Sequence, residues 1–382
     1  MKPILCIVGT RPNYMKMAPI LAAFDTHSPP IPFLFVHTGQ HYDPTMEKVF
    51  FETLGLPEPI ANLAVGGGSH AVQTAKIMER LDAIVDETLP ASILVVGDVN
   101  STLGAALVAA KRNIPLIHVE SGLRSGDRSM PEEINRIITD AISNVLYTTE
   151  KVATENLLRE GIAPERIEFV GNVMIDTLEK SRSRFVPAES TLRNAGVTNA
   201  GEWVQNGFAL VTLHRPSNVD TVDSLRSMID VLNQISVDIP LAFPIHPRTR
   251  ANLDRFGLLD SISPARWKLL EPLPYFDMLG LMSKAALVLT DSGGVQEEST
   301  VLGVPCLTLR NNTERPVTVT QGTNSLIGTD PQAILSACRS ILELKASGKQ
   351  SQTANRPELW DGNAAKRIAQ SIWNRRTELL AA

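Results

Sequence analysis

Short, nearly uninterrupted apolar runs recur along this chain, and they restrict the folds open to it more than any other feature. In the first half they occupy residues 4–8, 33–37, 93–96, 116–119, 145–148 and 167–170, separated by stretches of amphipathic helical pattern. A strand with one wet face alternates apolar and polar residues, whereas a strand covered on both faces does not. The runs therefore read as strands of a parallel sheet wrapped by helices, half of a doubly wound α/β architecture. The pattern lapses over residues 181–207, a polar stretch containing Pro187, and a second series follows at 208–213, 241–245, 268–270, 287–290 and 306–309. Two such α/β domains facing a cleft are expected: a first over 1–180, a second over 181–363, and a C-terminal helix over 364–382 that packs back on the first. A chain of 382 residues that is 43% apolar has ample material for both cores.

The formal net charge of -5 comes with no long basic run, which argues against nucleic acid or an anionic membrane as partner. No segment approaches the ~20 apolar residues of a membrane span. The N-terminal run is too short for a signal peptide, so a cytoplasmic protein is expected. Cys6, Cys306 and Cys338 fall in apolar segments and are expected as buried thiols, not as disulfides or metal ligands.

Ligands of open α/β sheets bind beyond the carboxyl ends of the strands. The residues following the apolar runs are unusually polar here. In the first half they are Gly9-Thr10-Arg11-Pro12 with Lys16 close behind, His37-Thr38-Gly39-Gln40-His41, Gly97-Asp98 and Glu120-Ser121-Gly122-Leu123-Arg124. A helical stretch beyond carries Pro131-Glu132-Glu133-Ile134-Asn135-Arg136. The second half supplies His214-Arg215, His246-Pro247-Arg248 and Asp291-Ser292-Gly293-Gly294. That last segment reads as strand, tight turn and helix start. Its glycines admit a ligand to the backbone, and unpaired N–H groups at the positive end of the helix dipole favour an anion. Glu298, one turn on, can accept hydrogen bonds from sugar hydroxyls.

Taken singly, these residues have plain explanations. Arg11 fits a solvated loop, Asp98 a helix cap, Glu132 a first-turn charge, and His41 and His246 structural histidines, the preferred reading for His41. Their joint placement at one edge of two sheets is what points to a site. Several familiar chemistries are excluded by particular residues. No Gly-x-Gly-x-x-Gly follows the first strand, so the dinucleotide fingerprint is missing. Gly66-Gly67-Gly68 lacks the Lys-Ser/Thr of a phosphate loop and reads as a flexible connection. The histidines and cysteines show no zinc spacing, and no nucleophile-elbow pattern occurs. No cofactor is expected.

The ordered set Gly9-Thr10-Arg11-Pro12, Gly97-Asp98, residues 118–124, residues 131–136, Leu213-His214-Arg215 and residues 291–298 closely resembles the non-hydrolysing UDP-N-acetylglucosamine 2-epimerases. The resemblance runs through nearly the whole chain. It implies two Rossmann-like domains in a glycosyltransferase-B-like fold, a homodimer, and a UDP-sugar between the domains. Carried over by motif, Arg11, Lys16, His214, Ser292, Gly293, Glu298 and Arg315 hold the nucleotide, with Gly294 in the same turn. Asp98, Glu120 and Glu132 lie near the sugar, with Arg136 beside them. The candidate catalytic set is thus Asp98, Glu120, Glu132, His214 and Arg136. The chain departs from the commoner pattern at Asn13, where many members carry glutamate, at residues 40–43, and in a short loop between Arg124 and Pro131.

The C2 hydrogen of an N-acetylhexosamine is scarcely acidic, so a base alone cannot invert that centre. Departure of UDP from C1 builds positive charge that acidifies C2, giving 2-acetamidoglucal and UDP, followed by re-addition. Proton removal from one face and return to the other requires at least two acid/base groups. A glycosyltransferase of the same architecture and a non-catalytic nucleotide-sugar regulator are the competing expectations.

Overall fold

The computed structural model describes residues 1–39, 51, 53–263, 266–348 and 356–380. Gln40, His41 and their neighbours to residue 43 lie outside the described residues. The chain divides into two compact units, Met1–Lys180 with Glu358–Ala382, and Ser181–Pro357.

The first unit holds a seven-stranded sheet. Its strands are β1 (Ile4–Val8), β2 (Phe33–His37), β3 (Ala61–Asn62), β4 (Ser92–Val96), β5 (Leu116–Ser121), β6 (Val145–Thr148) and β7 (Ile167–Phe169). They run in the order β3-β2-β1-β4-β5-β6-β7, and every pairing is parallel. Helices α1 (Arg11–Thr26), α2 (His70–Thr88), α3 (Asn100–Lys111) and α4 (Pro131–Ile142) belong to this unit.

Strand β1 shows why the apolar runs are continuous. Ile4, Cys6 and Val8 pack on one face with Met17, Ile20 and Phe24 of α1. Leu5 and Ile7 pack on the other with Ile77 and Leu81 of α2 and Ala105 of α3. Each such enclosed side chain contributes roughly 1.5–3 kcal/mol of burial, so a polar residue on either face would be costly.

The second unit holds a six-stranded parallel sheet in the order β10-β9-β8-β11-β12-β13. Its strands are β8 (Ala209–Thr212), β9 (Leu241–Pro244), β10 (Trp267–Leu270), β11 (Leu287–Thr290), β12 (Cys306–Thr308) and β13 (Asn324–Leu326), and α5 (Gly293–Leu302) follows β11. Residues 181–207 are more than a polar lapse. They form short helices at Ala188–Asn194 and Ala200–Asn206; Leu192 and Trp203 of these helices and Val197 between them share a buried core with Val288 and Cys306. Two turns of helix are too short to display a helical period, which is why the pattern is missed. The strands β3 (Ala61–Asn62) and β13 (Asn324–Leu326) escape because neither is an apolar run.

The expected boundary at residue 363 moves back to 357. The Trp360 indole is buried and donates to the Thr149 carbonyl at 2.9 Å. Gly171 lies so close to the chain at Leu359 that a Cβ there would stand 2.1 Å from the Leu359 carbonyl oxygen. Helix α6 (Ala364–Asn374) then packs against α1, its first amides donating to Asp176 from Ala364 at 3.1 Å and Ala365 at 2.7 Å.

Candidate active site

The sheet of the first unit reverses its strand order between β1 and β4, and that of the second between β8 and β11. These are the switch points at which α/β sheets open a crevice for ligands. In the first unit β1 leads into Gly9-Thr10-Arg11 and β4 into Gly97-Asp98. Asn13 ties the two exits together. Its Oδ1 accepts the Gly9 and Thr10 amides at 3.3 and 3.2 Å, and its Nδ2 donates to the Val96 carbonyl at 3.0 Å.

Lys16, one turn into α1, does not stand alone in this crevice. Its ammonium meets both carboxylate oxygens of Glu120, at 2.8 and 2.7 Å, and both residues are buried. Gly97 makes room for it, at a φ of 68° that suits glycine and with a Cα so close that a Cβ would lie 2.9 Å from the ammonium. Glu120 is itself strained. Pairing of β5 with β6 skips from Val119 to Ser121, and Glu120 occupies the gap with a φ of 68°. A bulge of this kind re-aims one side chain. Left-handed backbone at a non-glycine residue costs on the order of 1 kcal/mol and collects at functional sites.

Asp98 is not a helix cap: α3 begins at Asn100 behind Val99, with no side-chain cap bond. Its carboxylate pairs with Arg136, and its carbonyl accepts Asn135 Nδ2 at 2.8 Å. Arg136 also donates to Glu133 from Nη2 at 2.6 Å and Nε at 3.1 Å. Glu132 occupies the first turn of α4, half-buried, while the adjoining Glu133 is fully enclosed. A further buried pair lies beneath. His118 faces Asp140 at 2.6 Å through Nδ1 and the Gly97 carbonyl at 2.8 Å through Nε2. Although burial pulls the other way, His118 and Arg124 hold the Asp140 carboxyl below the usual carboxylate range. Arg11 is exposed at the start of α1.

In the second unit β8 leads into His214 and β11 into Asp291. His214 Nδ1 lies 3.0 Å from Asp291 Oδ1. The Asp291 carboxylate also accepts the His214 amide at 3.0 Å, the Arg215 amide at 2.9 Å and Asn218 Nδ2 at 3.0 Å. Despite burial, these bonds keep Asp291 below the usual carboxylate range, and they fix the imidazole with Nδ1 turned inward. The His246 ring stands 5.4 Å from that of His214.

Ser292 caps α5, and its side chain makes no cap bond of its own. Gly293 is packed near Arg315, whose guanidinium pairs with Glu297 at 2.7 Å and Glu314 at 3.2 Å. Around Gly294 nothing lies within 4 Å of where a Cβ would be. Glu298 is buried beside Tyr275, whose enclosed hydroxyl has no hydrogen bond of ordinary geometry. Burial pushes Glu298 up to about 8; the Tyr275 hydroxyl opposes the rise, and the Glu297 charge adds to it.

The structure thus joins Lys16 to Glu120, Asp98 to Arg136, and Gly293 to Arg315. The strand-end reading never reaches Asp140 or Tyr275, and it quotes Asp291, Glu133 and His118 within its segments without giving them a place in the site. Of these, Glu133 carried a signal, since its spacing of three from Arg136 puts the two on one helical face. Among the described residues, no group of three or more His, Cys, Asp or Glu side chains is arranged to hold a metal ion, and no helix is long and apolar enough to cross a membrane.

Comparison with known proteins identifies the family of the chain. A family model described as UDP-N-acetylglucosamine 2-epimerase matches residues 26–373. The chain is 39% identical over 379 residues to a UDP-N-acetylglucosamine 2-epimerase of Methanococcus maripaludis, covering 96% of this chain and 97% of that protein. It is 38% identical over 373 residues to a UDP-2,3-diacetamido-2,3-dideoxy-D-glucuronate 2-epimerase of Pseudomonas aeruginosa, covering 97% and 99%. The crystal structure of the Methanocaldococcus jannaschii UDP-GlcNAc 2-epimerase with UDP-GlcNAc and UDP superposes with a TM-score of 0.83 at 38% identity, covering 98% of this chain and all of that one. The fold is therefore the two-domain, glycosyltransferase-B-like α/β fold, and the chain belongs to the UDP-N-acetylglucosamine 2-epimerase family.

Proposed function

We propose that the protein is a UDP-N-acetylglucosamine 2-epimerase, interconverting UDP-GlcNAc and UDP-ManNAc by elimination of UDP to 2-acetamidoglucal and re-addition. The observation that carries this reading is the pair of carboxylates at the ends of adjacent strands, Asp98 after β4 and Glu120 in β5, each set against a buried cation. On this reading Asp98, Glu120 and Glu132 supply the proton removal at one face of C2 and the return at the other. The negative charge that grows on the departing diphosphate is met by Arg11, Lys16, His214, Arg315 and the turn at Ser292, where the Gly293 and Gly294 amides open the helix. Lys16 has a second duty on this reading, because its ammonium also pairs with Glu120. Glu298 serves the ribose.

The test is incubation of the purified chain with UDP-GlcNAc alone in deuterium oxide, followed by NMR. Appearance of UDP-ManNAc with deuterium at C2 is expected. Dependence on an added acceptor would make the protein a transferase, and binding without change would make it a regulator. The Pseudomonas aeruginosa relative favours a second substrate for the same inversion, a UDP-sugar bearing acetamido groups at C2 and C3 and a carboxyl at C5. The two substrates are compared by kcat/KM. The same reading makes the protein a cytoplasmic homodimer supplying polysaccharide biosynthesis; sedimentation at micromolar concentration tests the dimer.

A further inference from the structure

Arg136 and Glu133 are each about 2% exposed, and neither has a free edge to offer a substrate. The Glu133 carboxylate receives four N–H groups. Oε2 accepts Arg136 Nη2 at 2.6 Å, Arg136 Nε at 3.1 Å and the Ser125 amide at 3.0 Å; Oε1 accepts the Gly126 amide at 2.9 Å. Burial alone would raise this acid, yet these bonds hold it below the usual carboxylate range. One side of the guanidinium, Nε and Nη2, is thereby fixed, leaving Nη1 for the Asp98 carboxylate. Asp98 remains partly open, its side chain 22% exposed, and its backbone is held from the same helix by Asn135. Glu132 and Glu133, neighbours in the first turn of α4, point about 100° apart around the helix axis. One is half-buried and the other is consumed by internal bonds, so the two have different duties.

We infer that Glu133 is a positioning residue for the epimerisation: it orients Arg136 so that the guanidinium fixes the Asp98 carboxylate, and it fastens the 125–126 turn to the same group. The inference rests on the epimerase reading, since it acts through the proton transfer assigned to Asp98. An ionised carboxylate accepts all four N–H groups. An amide of the same shape has one acceptor oxygen, and its NH2 would face other donors. Glu133→Gln therefore releases Arg136 from one side without deleting a side chain from the core.

The experiment is a double-mutant cycle on kcat with UDP-GlcNAc, with UDP affinity measured alongside. Glu133→Gln is expected to lower kcat about 10- to 100-fold while KM and the UDP Kd stay within about threefold. In the Asp98→Asn background the same change should cost less than about threefold, because the group it positions has already lost its basic oxygen. Glu133→Asp keeps the charge and should recover part of the loss; if the glutamine variant does not fold, it enters the cycle instead. Full additivity with Asp98→Asn, wild-type kcat in a folded variant, or equal losses of kcat and UDP affinity overturns the inference. Wild-type protein that fails to epimerise overturns the functional reading and this inference with it, whereas additivity in an active enzyme removes the role of Glu133 alone.

Discussion

In the first unit Glu133 and Asp140 are buried and yet held below the usual carboxylate range, whereas in the second Glu298, equally enclosed, is pushed up to about 8. Burial acts in the same direction on all three. What differs is the company. Glu133 has Arg136 and two amides, and Asp140 has His118 and Arg124; beside Glu298 stand a tyrosine hydroxyl and the charge of Glu297. A cation repays the desolvation of a carboxylate, and a phenol does so only in part. The same economy separates the proposed roles. Glu133 and Asp140 are kept ionised beside their cations, while a proton-bearing Glu298 can donate to a bound nucleotide as well as accept from it.

The largest effect expected from this contrast falls on the first unit. Asp98→Asn, Glu120→Gln and Glu132→Gln keep the shape of the side chain and remove the basic oxygen. Turnover should fall about 10²- to 10⁴-fold wherever the group transfers a proton, with UDP affinity little changed. A variant that releases 2-acetamidoglucal and UDP without epimerising would mark the residue of the return step. Wild-type turnover in all three would leave the cation-backed pairs as fold supports and end the contrast in function.

The second unit should answer in stability. Because the folded pKa of Glu298 lies near 8 and its ordinary value is 4.5, the folded state holds a proton that the unfolded chain gives up between these values. Its contribution is therefore most favourable below about 4.5 and is lost as pH rises toward 8. Glu298→Gln removes that dependence. The variant should gain on the order of 4 kcal/mol relative to wild type at pH 8, a gain that shrinks as pH falls to 5. Denaturant unfolding at the two pH values measures it; a pH-independent difference would show that Glu298 is ionised in the fold.

How far this contrast could be read from sequence follows from what a linear pattern records. The sheets were legible because burial on both faces leaves a mark in every residue of a strand such as 4–8, and the strand-end rule then brought Asp98, Glu120, His214 and Ser292 into one set. Pairings across the sheet were not legible. Lys16 and Glu120 are 104 residues apart, and nothing local in either segment shows that they meet. The bulge at Glu120 was equally hidden, since no glycine marks its left-handed backbone. The 181–207 helices failed for want of length. Glu133 was in plain view beside Glu132, and only the geometry of Arg136 told the two apart.

Arg11 offers a smaller, sharper division between the units. It is an exposed cation at the exit of β1, and the proposal gives it to the diphosphate together with the second unit's turn. Arg11→Ala should weaken UDP binding by about 1.5–3 kcal/mol, roughly ten- to a hundredfold in Kd, as calorimetry would read it. Unchanged affinity would remove Arg11 from the nucleotide site and leave Lys16 as the first unit's contact to the diphosphate.

The smallest effect distinguishes two adjacent glycines of that turn. A methyl on Gly293 would press within 2.9 Å of Glu314 Oε1 and 3.5 Å of the Arg315 guanidinium, groups already tied to each other. A methyl on Gly294 would meet nothing within 4 Å. Gly294→Ala in the ligand-free protein should therefore be neutral or stabilising by up to about 0.5–1 kcal/mol, through the reduced freedom of the unfolded chain. Gly293→Ala should be the less stable of the two. If the space beside Gly294 is where a phosphate approaches the helix amides, Gly294→Ala will also weaken UDP several-fold while raising the melting temperature, a combination that damage to the fold cannot produce. A stabilised variant with unchanged UDP affinity would take Gly294 out of the anion site and leave the approach to the amide of Gly293.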